Sequence, residues 1–524
     1  MMKSFFASTT RYVMGVSLVV ALGGFLMGFD ASVISGVVKF IELDFDLSKI
    51  QLGWAVSSLA LSATLAMMFS GPLSDRYGRK PLLKLAALLY TLSAIGSALA
   101  PSFWFLIVAR MVGGLGVGAS LILAPMYIAE ISPAKLRGRM VSFNQLNIVI
   151  GISVAFFTNY LILRLGGIET GWANTLGFDE HNWRWMLGLE TLPAAFYYFS
   201  LFAVPESPRW LVMKGREKEA LEIFTKAGGS ELARQEIQSV HDSLAKNSEK
   251  AKLSEIFKPS MRFVLLVGIT VAIFQQITGI NSVFFYAPMI FEQSGIGTNA
   301  AFSQAVWVGL TNLVFTLIAI ALIDRMGRKP LLLLGMTGMA ICMFLLASGF
   351  SSATYTLNTS SIAHLPESID KEKLANIQGQ TFESDIAFKN ALVEQLGAQP
   401  ARAHESDLIT AAIKMNPTLI LLGIVGAVAS FAVSIGPVMW VLFSELFPNR
   451  LRGLAISFVG AISSTISFTV QLIFPWELST LGSSGTFLTY GILATIGLIS
   501  ILVIVPETKG KTLEELERSL VREE

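Results

Sequence analysis

Twelve stretches of predominantly apolar sequence run through this chain of 524 residues: 12–36, 50–72, 81–100, 103–129, 140–164, 184–204, 261–291, 302–323, 331–350, 417–444, 454–476 and 486–505. Each is close to the roughly 20 residues that one helix needs to cross a bilayer core. Hydrocarbon holds no water to satisfy a backbone, so each stretch must close its hydrogen bonds internally, as a helix. The pattern predicts an all-α membrane protein with twelve transmembrane helices. Charge supports this: charged residues make up 15% and hydrophobic ones 53%, with a mean hydropathy of +0.61, whereas a soluble domain carries about 25% charge. Cys342 is the single cysteine, which excludes an intrachain disulfide and argues against a thiolate metal site. The first stretch contains Asp30 and no small-residue cleavage pattern, so it reads as a retained span, not a signal peptide.

Lysine and arginine in the connectors give the orientation. Arg76, Arg79, Lys80 and Lys84 follow span two. Lys135, Arg137 and Arg139 follow span four. Arg325, Arg328 and Lys329 follow span eight, and Arg450 and Arg452 follow span ten. The opposite short connectors, near Pro101, Gly295 and Gly482, carry neither residue type. The connectors that carry Lys and Arg, which follow the even-numbered spans, are therefore expected in the cytoplasm with both termini, and the chain in the cell membrane.

The chain is also duplicated. Asp75–Leu83 returns as Asp324–Leu332 with eight of nine positions identical, and Glu130–Phe143 parallels Glu445–Phe458 at seven of fourteen. The second pair of motifs lies about 66 residues further apart than the first, an excess that maps to the polar stretch 351–416 between spans nine and ten. The expected organisation is a first six-helix half at 1–204, a cytoplasmic helical linker at 205–260, a second half at 261–505 with an outside insertion at 351–416, and a tail at 506–524. Within the linker, Glu217–Leu221 and Ser230–Leu244 read as short amphipathic helices. Two six-span halves of one orientation are the pattern of a parallel-repeat transporter, whose site is expected near mid-membrane where the halves meet.

The chain resembles the sugar porter family of the major facilitator superfamily. The resemblance rests on Gly71–Lys80, Pro205–Arg209, Gln275–Asn281, Gly436–Trp440 and Pro506–Gly510, which occur in order at consistent topological positions. It covers nearly everything except 351–416 and the extreme termini. It implies a monomeric carrier of a monosaccharide working by alternating access, most simply as a sugar:proton symporter. Rival readings are a facilitative uniporter and a non-transporting sugar sensor. The short sequence after Pro506 disfavours the sensor. No nucleophile–base or metal constellation and no P-loop pattern occurs, so neither an enzyme nor direct use of ATP is expected. No cofactor, metal or nucleic-acid partner is implied.

Side-chain amides suit a sugar, since each offers two donors and an acceptor to hydroxyls that do both. Gln275 and Gln276 on span seven point about 100° apart and can face one cavity. Asn281 follows Gly279, where a broken helix could turn the backbone toward substrate. Asn312 lies inside span eight, and Gln145 stands with Asn144 on span five. Trp440 could offer a ring face and an N–H. The resemblance implies that Gln145, Gln275, Gln276, Asn281, Asn312 and Trp440 hold the sugar, and that Phe285 and Tyr286 form the outer gate. Where many sugar porters carry an amide followed by Trp in span eleven, this chain has Ser463 and Ser464, which leaves the specific sugar open.

Asp30 and Arg110 lie deep in spans one and four, where a lone charge costs several kcal/mol and a partner is expected. Beside Arg110 the ionised carboxylate is favoured, and apart from it in a dry site the protonated form is favoured. That is a proton switch, and the resemblance implies the same role. For the cytoplasmic side, Asp75 can sit at a helix N-terminus. Arg79, Arg137, Arg328 and Arg452 can bridge Glu130 and Glu445 with bidentate bonds. The resemblance adds Glu206, Arg209 and Glu507 to this inner latch, and the repeat places Asp324 there too. In the insertion, Ser384–Gly397 reads as a helix with an apolar face of Ile386, Phe388, Ala391, Leu392 and Val393. The insertion could be a lid, a partner surface or a tolerated addition, and the last is favoured.

Overall fold

The computed structural model describes residues 2–168, 171–246, 252–448, 450–511 and 513–520. Span one is Met2–Asp44, span two Lys49–Tyr77, span three Arg79–Ala98, span four Phe103–Ile131 and span five Ala134–Gly166. Span eight is Thr298–Met326 and span nine Arg328–Ser351. The other expected spans are interrupted. Span six is two pieces, Asn182–Gly188 and Thr191–Ser200; span seven is Arg262–Ile277 and Ile280–Glu292; span ten is Pro417–Val433 and Ile435–Leu446. Spans eleven and twelve share the run Arg452–Ile504, broken at Gly482 (φ 71°, ψ 172°). Among the described residues, ten helical runs are long and apolar enough to cross a membrane. The count falls below twelve because span six is in pieces and the last two spans are one run.

The breaks have local causes. Gly279 takes a left-handed conformation (φ 80°, ψ 6°), and a Cβ there would stand 2.4 Å from the Tyr490 ring. Only glycine allows both. Ser434, with φ −129° and ψ −107°, ends the first piece of span ten.

The chain divides into two compact units. The first comprises Met1–Ala31, Ser58–Ala155 and Leu187–Lys252. Its core joins spans one to four and six through Val20, Leu59, Leu83, Val117, Tyr127 and Tyr197, all buried. Helix backbones touch directly, as small residues allow in membranes. A Cβ on Gly28 would lie 2.0 Å from the Ile148 carbonyl, and one on Gly151 2.1 Å from that of Phe25. The linker helices Pro208–Met213, Glu217–Gly228 and Ser230–Lys246 pack together through Leu211, Val212, Ala220 and Val240. The first expected amphipathic helix therefore runs longer than its sequence signal.

The second unit comprises Ser32–Ser57, Phe156–Met186 and Leu253–Glu524. It holds the second half together with the outer ends of spans one, two and five. A Cβ on Gly53 would lie 1.9 Å from the Leu472 carbonyl, so span two meets span eleven backbone to backbone. Trp54 packs on Phe468 at 5.6 Å. The insertion belongs to this unit and has its own core, including Tyr355, Leu374, Phe388, Leu392 and Leu408. It carries a small antiparallel sheet in which Thr354–Thr356 is flanked by Thr381–Phe382 and Ile413–Lys414. The expected helix is Asp385–Leu396, with Phe388 and Leu392 inward, but Val393 is exposed.

The insertion is built into the fold. Asp385 is buried, and its carboxylate accepts from the Ser483 backbone N–H and hydroxyl, each at 2.9 Å. It thereby caps span twelve where the chain turns at Gly482. Losing such a cap costs about 1 kcal/mol. Asp385→Ala should lower the melting temperature of the detergent-purified protein, with Asp385→Asn in between. An unchanged melting temperature for the alanine variant would contradict the capping role.

Candidate functional site

Three ionisable side chains meet inside the first unit. Arg110 is 1% exposed and Asp30 2%, and Nη1 of Arg110 stands 3.4 Å from Oδ1 of Asp30. Glu190, 3% exposed, lies in the turn between the two pieces of span six and within electrostatic reach of both. Asp30 Oδ2 and Glu190 Oε1 are buried with no hydrogen-bond partner among the described residues. Two carboxylates facing one guanidinium leave a negative charge uncompensated when both are ionised. One bound proton neutralises the set, which a low-dielectric interior strongly favours. Sequence reasoning missed Glu190, although its signal was there: an acid in the apolar stretch 184–204.

In the second unit the span-seven amides form a chain with span eleven. Gln276 Nε2 donates to Gln275 Oε1 and to Ser463 Oγ, both at 2.9 Å. Asn281 Nδ2 donates to Gln276 Oε1 at 2.5 Å and to Ser467 Oγ at 2.7 Å. Gln471 Nε2 donates to Ser467 Oγ at 2.8 Å. Residues 463, 467 and 471 are spaced by four on a helix and so share one face. That face aligns the amides of the broken helix. Ser463, expected only as the loss of a larger side chain, is itself a partner, and Ser467 and Gln471 were not anticipated. Asn312 is buried in span eight, while Trp440 is half exposed and packs edge-on against Phe443 at 6.1 Å. Gln145, in the first unit, is exposed, and Asn144 beside it is buried.

The two expected gate aromatics differ. Tyr286 is fully buried; its hydroxyl donates to the Gln471 carbonyl at 2.9 Å and its ring lies 4.8 Å from Phe474. Phe285 is half-buried.

The repeated cytoplasmic motifs build two matching knots. In the first, Arg79 grips Glu130 with two bonds of 3.0 Å. Ser207 Oγ donates to Glu130 at 2.5 Å, and Glu206 accepts from the backbone N–H groups of Arg79 and Lys80. In the second, Arg328 grips Glu445 at 3.1 and 2.6 Å. Thr508 Oγ1 donates to Glu445 at 2.6 Å, and Glu507 accepts from the N–H groups of Arg328 and Lys329. The glutamates that follow spans six and twelve thus cap the starts of spans three and nine, where the helix dipole favours a negative charge.

Three expectations for this region need correction. Asp75 lies in the last turn of span two, not at a helix N-terminus, and meets Arg79 at 2.9 Å across that turn. Gly78 intervenes before span three begins, so the dipole there is served by Glu206. Arg137 and Arg452 do not bridge the glutamates. Their Nε atoms donate to the carbonyls of Ala129 and Phe447, each at 3.1 Å, and so close off the ends of spans four and ten. Each knot also ties together elements of one half only. Arg209 lines a small cavity with Glu130, Arg137 and Glu236. The side chain of Asp324 lies outside the described residues.

This chain matches the family described as sugar (and other) transporter over residues 16–365 and 402–520. It is 34% identical to the arabinose-proton symporter of Bacillus subtilis, covering 98% of this chain and 96% of that protein. It is also 34% identical to the D-xylose-proton symporter of Escherichia coli K12, covering 97% and 96%. The fold superimposes on the inward-open conformation of the xylose transporter XylE from E. coli with a TM-score of 0.74 at 32% identity, over 97% of this chain and all of that one. The same transporter bound to 6-bromo-6-deoxy-D-glucose gives 0.68. The chain is thus a multi-pass membrane transporter and not an enzyme, and it belongs to the sugar transporter family of the major facilitator superfamily.

Proposed function

We propose that this protein is a sugar:proton symporter of the cell membrane that carries a pentose or hexose by alternating access, as a monomer with both termini in the cytoplasm. The observation that carries the reading is the buried set of Asp30, Arg110 and Glu190. A carrier that only equilibrates sugar has no need of two carboxylates around one guanidinium in hydrocarbon. Such a set costs folding energy unless a proton completes it. The names of the relatives, arabinose-proton and D-xylose-proton symporters, point the same way.

The sugar side of the mechanism follows from the amide chain. Gln275, Gln276 and Asn281 are held by Ser463 and Ser467, so their remaining donors and acceptors are oriented before substrate arrives. This lowers the entropy cost of binding. Gln145, Asn312 and Trp440 are the further groups that the family pattern assigns to the sugar, and Phe285 and Tyr286 the outer gate. The break at Gly279 lets the outer piece of span seven tilt without unravelling the inner one. The proton side follows from charge. With a proton on the set its negative charge is cancelled, and the loaded carrier can reorient without carrying a bare charge. Proton loss on the cytoplasmic side resets it. In this reading the Arg79–Glu130 and Arg328–Glu445 knots keep each half rigid at its cytoplasmic end, so that the halves move as bodies. Glu206 belongs to the first of these knots, and the family pattern and the repeat add Arg209 and Asp324 to the same latch.

Two outcomes test this. In energised vesicles, labelled arabinose or xylose should accumulate above equilibrium, and an uncoupler should abolish that accumulation. Asp30→Asn should lose accumulation and keep sugar counterflow; accumulation persisting in that variant, or surviving the uncoupler, would sink the proton reading. For the sugar site, Gln276→Ala removes a side chain that organises three neighbours. With each neutral hydrogen bond contributing about 1 kcal/mol, KM should rise about tenfold with kcat little changed. An unaltered KM would remove Gln276 from the site.

A further inference from the structure

The family match leaves out the middle of the insertion, since it breaks off at 365 and resumes at 402. The insertion is anchored at several points to the outer surface of the second half. Asp385 caps span twelve. Gln293, at the end of span seven, donates to Glu405 at 3.0 Å. Thr298, at the start of span eight, donates to Ser406 at 3.3 Å, and Ile413 packs where a Cβ on Gly295 would stand, 2.2 Å away.

From this anchored position the insertion reaches the outer turn between spans one and two. Arg402 Nη1 stands 3.6 Å from Asp46 Oδ1. Asp46 is the single non-glycine residue with a positive φ (45°) among the described residues, a conformation that Asp tolerates better than most residues. Lys49, at the start of span two, forms one wall of a cavity of about 150 Å³ whose other walls include Asp385, Lys389, Arg402 and Glu405. Burial opposes ionisation of Glu405, but Lys389 and Lys49, with hydrogen bonds from Lys389 and Gln293, pull its carboxyl down to about 2. Next to this, Lys39 of span one donates to Glu292 at 2.8 Å and to Thr298 at 2.6 Å.

The charges around the cavity are spent on one another: Lys389 on Glu405 at 2.8 Å, Lys49 on Glu42 at 2.6 Å and Arg402 on Asp46. Few are left for a ligand. Of these pairs, Arg402–Asp46 joins the insertion to the turn, while Lys389–Glu405 lies within the insertion and Lys49–Glu42 within the first half.

We propose that segment 351–416 is an outer strap: anchored to the second half, it clasps the turn at Asp46–Lys49 of the first half while the outer end is shut, and must let go for that end to open. The pair that crosses, Arg402–Asp46, is exposed on both sides, so it is worth little in stability. That suits a fastening that must break in every cycle. The strap rests on the alternating-access reading, but its first test does not need transport.

In a Cys342→Ser background, Val56→Cys places a thiol on span two one turn below the contact of Gly53 with Leu472, where Val56 is buried. A membrane-impermeant maleimide added outside reports opening of that contact. Arg402→Glu, which sets two carboxylates against each other, should speed labelling about two- to fivefold, the range expected for an exposed pair. Adding Asp46→Arg should restore the slow rate. Labelling unchanged by Arg402→Glu, or not restored by the swap, overturns the proposal. In a second arm, Asp46→Cys with Arg402→Cys is joined by a short bifunctional maleimide. Uptake should fall at least tenfold (about a tenth or less of the singly labelled proteins' rate). Uptake equal to theirs overturns the strap. Loss of uptake before any cross-linking would count against the transport reading instead, and leave the labelling result standing.

Discussion

Arg110 is the group around which the first unit must be arranged. A guanidinium cannot shed its charge, and 1% exposure leaves it no water. Spans one and six must therefore present acids to it. Asp30 and Glu190 do so, and together they overcompensate. A structure satisfied with one carboxylate would be electrically closed; one with two stays open to a proton. The close helix contacts at Gly28 and Gly151 hold spans one and five against each other and keep water away from this group. Small residues and buried charge are thus two halves of one device: the first excludes solvent, and the second makes that exclusion matter.

Much of this was readable from residue order. The duplicated motifs show in residue identity, while the twelve apolar stretches and the pairing of Asp30 with Arg110 follow from the cost of placing polar groups in hydrocarbon. That cost is large enough to override local preference. The breaks in spans six and ten were not readable, because apolar composition is the same on both sides of a break. The one at Gly279 was, since a glycine between Gln276 and Asn281 stands where a broken helix could turn the backbone toward substrate. Glu190 was overlooked although it carried the same signal as Asp30. The ladder of Ser463, Ser467 and Gln471 was invisible for another reason: a serine in a membrane helix commonly bonds its own backbone, and only the facing amides show otherwise.

The cytoplasmic motifs teach a related lesson. Their sequence showed that the charges would pair, but not with which partner or within which half. Arg79–Glu130–Ser207 and Arg328–Glu445–Thr508 are near copies, as duplication requires. Yet Arg137 and Arg452, equally conspicuous in the sequence, bind backbone carbonyls. The insertion differs again. Its helix was legible from apolar spacing, while its attachment was not. Asp385 is an ordinary helix-start residue until Ser483, 98 positions away, turns out to need it.

The account holds that one proton enters with each sugar because Asp30, Arg110 and Glu190 require it. The direct measurement is the internal pH of proteoliposomes loaded with a pH-sensitive dye, with no gradient imposed, when arabinose or xylose is added outside. The account predicts internal acidification that depends on the sugar and disappears in Asp30→Asn. Entry of labelled sugar with no change of internal pH would contradict it.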